Sequence, residues 1–488
     1  MVNGRKIILF ELNEVPFQVL DAFCQAYPDS EFSSLMNDSA QLITTCEDEI
    51  ELDPWISWPT LHRGVSDTKH RILSLGQTLD KVDDQYPPMW RIITSAGRTA
   101  GIFGSIHSSH IPSSMDAYKF YMPDFFDEKV FAYPKYLEGF QQFNLVMTRR
   151  SARNVDTSVP RSALLAFMRS AVATGFSVDT AREIVAQLAS ERKESRVRLR
   201  RRSLQSLLMA DVFTRLLKRD MPDFATLYSN HVAAAMHRYW AAAFPDDYHP
   251  NLTSPEWQKL YQREVFEAAR IASKIIGKLR RFVDERKDTV LLVASSMGQI
   301  ATEHPPSEGL YTIRDLRKFM ANFGVAEGQF QQKHAMVPCT GAVVDASVCH
   351  DFQKRLNQFR IGESRIVESE QEISPMSYAL HEGNFFSLYL NFDGYTGEHV
   401  GYVGNEPKTF DDLGIGFLPH EDGVSVTAHH HPDGILLIYD PTRRARGGAR
   451  ARVSTLEIAP AVLASYGIAT PDYMVKPSDV LRQALALN

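Results

Sequence analysis

The chain has 488 residues, a formal net charge of −6 and a hydrophobic content of 44%. This length suits one large α/β domain with insertions, or about two to three domains. A mildly acidic balance gives no general electrostatic attraction to nucleic acid or to an anionic membrane. The sequence contains no uncharged apolar run of about 18 residues, so no membrane span is expected.

The four cysteines are Cys24, Cys46, Cys339 and Cys349, and their spacing matches no metal-binding pattern. Scattered cysteines of this kind favour a reducing compartment over a disulfide framework. The first apolar block is too short for the hydrophobic region of a signal peptide, and no small-residue cleavage site follows it. The sequence therefore predicts a soluble cytoplasmic protein.

The first predicted element is a buried strand, Lys6–Leu12, whose residues are almost all apolar. Pro16 then marks the turn into a helix. Between them stand Glu11, Asn13 and Glu14, polar groups that are costly to remove from water. They either cap the helix or belong to a site, and the site is favoured because strand ends of α/β sheets face the ligand crevice.

Residues 52–64 form a loop with two tryptophans, two prolines and two hydroxyl groups. The tryptophans are expected to anchor the loop by packing. Ser57 and Thr60 are each candidates for the N-cap of a helix that Pro59 would open. A hydroxyl at a helix N-terminus is also well placed as a nucleophile, since the unpaired N–H groups and the helix dipole favour an incoming anion.

The middle of the chain alternates helical patterns with short apolar runs. A helical pattern covers residues 158–219 and includes the basic run Glu191–Arg202, for which a solvated helix face is favoured over a patch for an acidic partner. Asn230 follows one of the apolar runs and Gln299 follows another. The further predicted strands are Arg98–Ser105, Asp223–Ser229 and Thr289–Ser295.

Three consecutive histidines, His429–His431, precede the buried strand Gly434–Tyr439 near the C-terminus. Such a segment is either a solvated polar turn or a histidine loop that contributes to a site at the sheet edge. Its position beside a buried strand favours the site.

Taken in chain order, these segments resemble the alkaline phosphatase superfamily, in particular its phosphodiesterase and nucleotide-pyrophosphatase branch. The resemblance implies an α/β fold: a three-layer sandwich with a mostly parallel central sheet and helices on both faces. The core would comprise residues 1–139, 221–304 and 424–488, with a helical insertion at 140–220 and a small α/β insertion at 305–423. The segments that carry the resemblance are the strand ending at Asn13, the loop up to Gly64 with His70-Arg71-Ile72, Ala233–His237, Ser295–Gly298, His430–Leu436 and Glu457–Pro460 with Gly467 and Pro471.

The departures from the family pattern concern its two metal ions. Asn13, Ala233, Ser296 and Met297 stand where the resemblance implies metal ligands, and they supply no negative charge. A two-metal site is therefore not expected, because two close divalent cations need anionic ligands.

A single-metal site remains open. Of the implied ligands His237 and His430 are present, and Glu11 or Glu14 could supply a carboxylate. Two imidazoles and one carboxylate favour zinc, or alternatively ferrous iron.

The leading functional hypothesis is a hydrolase or transferase that acts on a phosphate-type ester, either a small molecule or a glycan-linked compound. Two alternatives from other classes remain: a binding or regulatory protein without catalysis, and an enzyme that uses the pocket without metal. The residues assigned to the first hypothesis are Ser57, Thr60 and His62 for catalysis, Asn13, Asn230 and Gln299 for substrate binding, and His237, His430, Glu11 and Glu14 for the metal.

Overall fold

A computed structural model of the chain describes residues 4–126, 129–151, 175–249, 252–303, 307–393, 400–420, 426–445 and 449–487. Its strands are β1 (Lys6–Leu12), β2 (Ala40–Thr45), β3 (Ala100–Phe103), β4 (Tyr118–Met122), β5 (Phe224–Ser229), β6 (Thr289–Ala294), β7 (Gly298–Ala301), β8 (Gly309–Ile313), β9 (Phe330–Lys333), β10 (Cys339–Val344), β11 (Arg360–Ile361), β12 (Ser364–Arg365), β13 (Val367–Glu368), β14 (Met376–His381), β15 (Phe385–Leu390), β16 (Phe392–Asp393), β17 (Val400–Val403), β18 (Glu406–Thr409), β19 (Ile415–Pro419), β20 (Ala428–His431), β21 (Asp433–Tyr439) and β22 (Ala451–Ser454).

Its α-helices are α1 (Phe17–Ala26), α2 (Glu31–Asp38), α3 (Pro54–Arg63), α4 (Asp67–His70), α5 (Asp80–Gln85), α6 (Met89–Ser95), α7 (Glu138–Ser151), α8 (Val178–Lys193), α9 (Arg201–Arg219), α10 (His231–Ala243), α11 (Pro255–Tyr261), α12 (Glu264–Asp284), α13 (Leu316–Asn322), α14 (Ala346–Leu356), α15 (Ile458–Ser465) and α16 (Asp479–Ala484). Short 3₁₀ turns span Lys135–Leu137, Ser195–Arg200, Pro245–Asp247 and Thr455–Glu457.

An eight-stranded sheet in the order β22-β2-β21-β6-β1-β5-β3-β4 forms the centre of the fold. The strands β1, β5 and β6 are buried along almost their whole length, which explains why their sequences are continuous apolar runs. Among the described strands of this sheet, β21 alone runs antiparallel to its neighbours β2 and β6. The predicted α/β class with a mostly parallel sheet is confirmed.

Two groups of helices cover this sheet. In the first group, α12 packs against α1, α2, α9 and α10. In the second group, α15 packs against α3 and α6. The buried apolar face of α12 includes Ile271, Ile275, Ile276 and Leu279, spaced as one stripe of a helix. Helices and sheet share one large hydrophobic core, so the sandwich is three layers deep.

A second hydrophobic cluster is drawn from residues between Ile313 and Ile415. Around it lie a five-stranded sheet, β13-β14-β15-β10-β9, and two smaller sheets that include β8 and β17. This separate core lies within the predicted small insertion, whose proposed limits, 305 and 423, fall outside the described residues. Residues 152–174 of the predicted helical insertion are also outside them, and its described part contains α8 and α9.

Within the described ranges, no helix combines the length and the apolar character that crossing a membrane requires.

Candidate functional site

The polar residues of the site meet at one edge of the central sheet because of the strand directions. The parallel strands β1 and β5 end side by side, and Asn13 and Asn230 are the residues that directly follow them. Strand β21 runs the opposite way, so its beginning lies at this same edge. His430, just before β21, is thereby brought to the carboxyl ends of the parallel strands, where α/β sheets place their ligands.

The centre of the site is a cluster of one carboxylate and two imidazoles. The Nε2 atom of His237 lies 2.8 Å from Oε2 of Glu14, and Nε2 of His430 lies 3.4 Å from the same oxygen. The ring centroids of the two histidines are 5.2 Å apart. The convergence of His237 and His430 expected from the sequence is therefore present in the structure.

Hydrogen bonds to backbone carbonyls fix the orientation of both imidazoles. Nδ1 of His237 donates to the carbonyl of Ala428 over 2.9 Å, and Nδ1 of His430 donates to the carbonyl of Leu52 over 2.8 Å. A carbonyl can only accept, so Nδ1 carries a proton in each ring. The Nε2 atoms therefore face the cluster, in the arrangement that metal-binding histidines generally adopt.

Glu14 itself has an unusual backbone conformation. Its φ angle is +58°, in the left-handed region that glutamate seldom adopts. This turn directs the buried carboxylate towards His237, and Gln299 holds it there by donating from Nε2 to Oε2. Gln299 on β7 pairs with His430 on β20, so the amide and the imidazole are held by one strand pair. Strained residues of this kind concentrate at functional sites.

Asn13 links this cluster to the neighbouring polar groups. Its Nδ2 donates to Glu14 Oε1 over 2.6 Å and to Asn230 Oδ1 over 2.7 Å. Its Oδ1 accepts from the indole Nε1 of Trp58 over 2.6 Å. Because an indole can only donate, the orientation of this amide is determined. Asn13, Asn230 and Gln299, the predicted substrate-binding residues, thus lie beside the cluster.

The charges of the cluster stabilise one another. Burial alone would raise the pKa of Glu14, but His237 and His430 hold that pKa far below the ordinary value. Burial alone would lower the pKa of His430. The charge and the hydrogen bond of Glu14 have a larger effect than burial and raise this pKa to about 9. Without a metal, the cluster is therefore an ion pair of carboxylate and imidazolium.

The helix α3 begins earlier than the sequence indicated. The expectation that Pro59 opens it is wrong: Asp53 is the N-cap, Pro54 is the first residue, and Pro59 lies inside the helix. The Asp53 carboxylate accepts from the backbone N–H of Trp55 over 3.1 Å, which stabilises the earlier start. Ser57 and Thr60 are consequently not at the helix N-terminus.

The three predicted catalytic residues of α3 are buried and hydrogen-bonded. The Oγ of Ser57 lies 2.8 Å from the Oγ of Ser296, and Thr60 bonds to Asp48 and to His70. Nε2 of His62 lies 2.7 Å from Oε1 of Glu11, and both side chains are almost completely buried. The assignment of these residues to catalysis stays a prediction.

Glu11 lies outside the cluster of Glu14, His237 and His430. Among the described residues, the set of side chains that could together hold a metal ion consists of Glu14, His237 and His430. Glu11 lies within β1 and its carboxyl group contacts His62, whereas Glu14 follows the strand and has a φ angle of +58°. The second carboxylate candidate, Glu14, is therefore the one that the structure places beside the histidines.

The other histidines of the site region have different surroundings. His231 is buried, with Nδ1 2.7 Å from the Ser229 hydroxyl and Nε2 3.1 Å from the carbonyl of Ala268. His429 is exposed, and His431 accepts from the backbone of Asp433. The histidine segment is the strand β20, paired with β7, rather than a loop. Alternation along this strand explains why His430 alone of the three faces Glu14.

A cleft lies between the core and the residues around β14 and β15. Two hydrogen bonds cross it: Gln371 donates to the carbonyl of Ile50 over 2.6 Å, and the hydroxyls of Ser74 and Ser387 are 2.8 Å apart. The acidic residues that line it are Glu51, Asp53, Glu370 and Glu372.

Burial raises the pKa of two carboxyl groups in this cleft. The pKa of Asp53 rises to about 8, and that of Glu372 rises to about 9 with a further contribution from Glu51 and Asp53. Both carboxyl groups are therefore protonated at neutral pH in the metal-free protein. A protonated carboxyl can donate a hydrogen bond to an anionic ligand, which an ionised one would repel.

The cluster fits one divalent cation. The ligand atoms of Glu14, His237 and His430 all lie within 4.8 Å of one another, and two imidazoles with one carboxylate form a set typical of zinc. About a quarter of each histidine side chain is exposed, so a substrate or water can complete the coordination. Asn13, Ser57 and Ser296 are neutral and bonded within the protein, so they supply none of the negative charge that a second cation would need.

No protein-family model matches the sequence, and the comparison with curated proteins finds no match. Among solved structures, the chain is similar to human ectonucleotide pyrophosphatase/phosphodiesterase 5, with 12% identity over 99% of this chain and 100% of the other and a TM-score of 0.43. It is also similar to the alkaline phosphatase PafA, with 13% identity over 98% and 99% and a TM-score of 0.44. A third is phosphonoacetate hydrolase from Sinorhizobium meliloti 1021, with 8% identity over 99% and 96% and a TM-score of 0.41.

Proposed function

We propose that the chain is a hydrolase of phosphate-type esters that uses a single divalent cation, zinc, bound by Glu14, His237 and His430. The observation that carries this proposal is the convergence of both Nε2 atoms on Oε2 of Glu14, with each Nδ1 held by a carbonyl. The substrate class comes from the resemblance of the ordered sequence segments. It includes small phosphoesters and glycan-linked ones.

Each residue of the site has a part in this proposal. When bound, the cation supplies Lewis-acid polarisation of a phosphoryl oxygen. Asn13 and Gln299 position Glu14 through their amide groups. Protonated carboxyls and amide N–H groups near the cleft can donate to the remaining phosphoryl oxygens, and such donors stabilise charge that develops during reaction.

The experiment combines metal analysis with a substrate panel. Protein purified without chelator is analysed by plasma mass spectrometry and tested on chromogenic phosphate monoesters, phosphate diesters and sulfate esters. We expect about one zinc ion per chain and turnover of at least one phosphate ester. Removal of zinc with a chelator should abolish that turnover, and added zinc should restore it.

The other outcomes separate the remaining functional classes. Stoichiometric zinc without turnover of any ester would contradict hydrolysis and favour a binding or regulatory protein, which the neutral groups at Asn13, Ser57 and Ser296 also favour. Turnover that persists without metal would contradict the zinc site and favour a metal-independent enzyme.

A further inference from the structure

The indole of Trp58 links α3 to the Glu14 cluster. Trp58 is completely buried, and its Nε1 donates to Oδ1 of Asn13 over 2.6 Å. The ring packs edge-on against Tyr228, with centroids 5.9 Å apart, and its centroid lies 5.5 Å from that of the His62 ring. These contacts hold the ring in place, so the N–H group has a fixed direction. Trp58 therefore has a polar contact as well as the packing role that the sequence predicts.

The indole N–H determines which end of the Asn13 amide faces Glu14. The two N–H bonds of Nδ2 go to Oε1 of Glu14 over 2.6 Å and to Oδ1 of Asn230 over 2.7 Å. A reversed amide would place its oxygen against these two oxygens and its amino group against the indole N–H, so it would lose all three hydrogen bonds. Trp58 and Asn230 together thus keep Nδ2 beside the carboxylate of Glu14.

The two carboxylate oxygens of Glu14 have different neighbours. Oε1 accepts from Asn13, whereas Oε2 lies 2.8 Å from Nε2 of His237 and 3.4 Å from Nε2 of His430. Gln299 also donates to Oε2, but an ionised carboxylate oxygen has about two lone-pair positions and keeps one for another partner. The bond from Asn13 therefore holds one oxygen back and leaves the other turned towards the imidazoles.

We infer that Trp58 is a positioning residue for the zinc site, an inference that rests on the zinc binding in the proposed function. Trp58 acts through Asn13: without the indole N–H, Oδ1 of Asn13 would be a buried acceptor that has lost its donor, which is unfavourable. The amide would then turn to regain a partner, and its bond to Glu14 would be weakened. Partners behind metal ligands orient those ligands and raise the affinity for the metal. Trp58 thus increases zinc affinity without touching the cation.

The test measures the zinc affinity of the full chain by competition with a chromogenic chelator. Trp58→Phe keeps an aromatic ring in the core but removes the N–H group. We expect its zinc affinity to fall by about 10- to 100-fold, the range for loss of an outer-shell partner. Trp90→Phe is the matched control, because Trp90 is also almost completely buried and contacts His62, but its Nε1 has no hydrogen-bond partner among the described residues. This variant should bind zinc as tightly as the wild type.

Two further measurements separate positioning from packing. With cobalt in place of zinc, the visible absorption reports the arrangement of the ligands. The spectrum should change in Trp58→Phe and stay as in the wild type in Trp90→Phe. In an Asn13→Ala background, Trp58→Phe should cause no further loss of zinc affinity, because its effect passes through the Asn13 amide. Melting temperatures show whether the two tryptophan variants are equally folded.

The outcomes separate this inference from the proposed function. Unchanged zinc affinity in Trp58→Phe, an equal loss in Trp90→Phe, or a further loss in the Asn13→Ala background would overturn the role of Trp58 while the zinc site stands. A wild-type chain that binds no zinc would overturn both. A chain that binds zinc but hydrolyses no ester would overturn hydrolysis alone, because the affinity comparison would still decide the role of Trp58.

A measurement on the wild type covers the case in which Trp58→Phe does not fold. The indole N–H signal of Trp58 in nuclear magnetic resonance spectra is assigned by replacing the other tryptophans singly. This signal should shift when zinc binds, since the indole is bonded to the Asn13 amide that holds Glu14. A constant signal would overturn the role of Trp58.

Discussion

One carboxylate oxygen, Oε2 of Glu14, lies 2.8 Å from Nε2 of His237. The same oxygen is 3.4 Å from Nε2 of His430 and also accepts from Gln299. Glu14 is almost completely buried, so its charge is compensated by these neighbours rather than by water. The chain thus keeps an anionic group and two oriented imidazoles together at the sheet edge, and this arrangement can be tested by removing the charge.

Glu14→Gln should remove the metal from the protein. The substitution keeps the size of the side chain but removes the only carboxylate of the Glu14–His237–His430 cluster. We expect zinc affinity to fall by more than the roughly 10- to 100-fold that loss of an outer-shell partner costs. Plasma mass spectrometry of protein purified without chelator measures the loss.

Glu11→Gln is the matched control for that experiment. Glu11 pairs with His62 and lies outside the cluster, so this variant should keep its zinc. Retention of zinc by Glu14→Gln together with loss from Glu11→Gln would show that the wrong carboxylate had been assigned.

Ser57→Ala tests the predicted nucleophile. Since the Ser57 hydroxyl is buried and 2.8 Å from that of Ser296, we expect the substitution to lower ester turnover by less than about tenfold, or about 1.4 kcal/mol of barrier. Loss of a true nucleophile costs several orders of magnitude more. Initial rates on the best ester of the panel, with Ser296→Ala as the comparison, decide between these results.

The most deeply buried strands of the central sheet were predicted from the sequence because their burial shows directly in the residues, whereas β2, β4 and β22 were not predicted. Continuous apolar runs located β1, β5, β6 and β21, and the bounds of β1 agree to the residue. The direction of β21 cannot be inferred from such a run, because a buried strand has the same composition in either direction. The consequence, that His430 reaches the carboxyl edge, became clear only from the strand pairing.

Local backbone geometry explains why the sequence did not predict the start of α3 or choose between Glu11 and Glu14. Pro54 and Pro59 both fit the first turn of a helix, and the hydrogen bond from the Trp55 N–H to Asp53 selects the earlier one. Glu11 and Glu14 were equal candidates from sequence, since nothing in the residue types shows that Glu14 adopts a φ of +58°. Asp53 was missed, although an aspartate directly before a proline is a recognisable helix start.

Asn13→Asp should destabilise the metal-free protein. The Asn13 amide donates to Glu14 and to Asn230, and a carboxylate could donate to neither. It would also place a second negative charge beside Glu14. We expect the free energy of unfolding in urea to fall by about 3 kcal/mol, the cost of buried polar groups that lose their partners.

Asn230→Asp provides the control for that variant. Asn230 accepts from Asn13 through Oδ1, and an aspartate keeps this acceptor. Its cost should stay below about 1 kcal/mol. Equal stability of Asn13→Asp and the wild type would mean that the amide is not the donor that the hydrogen bonds indicate.

The buried imidazole of His231 should make the stability of the protein depend on pH. Burial lowers the pKa of His231 from 6.5 to about 4. Because this pKa is lower in the folded chain than in the unfolded one, the unfolded chain binds the proton more tightly, so stability falls as the pH falls from 6.5 to about 4. The loss from this residue should approach about 3 kcal/mol.

Urea unfolding of metal-free protein at several pH values measures this loss. His231→Gln removes the titrating group and can still donate to the carbonyl of Ala268, so its unfolding free energy should depend less on pH over that interval. His381→Gln is the comparison, because burial also lowers the pKa of His381, at the end of β14, to about 4. If the pH dependence of His231→Gln equals that of the wild type, His231 is not buried in its neutral form, and the packing of α10 against α12 must differ from that described.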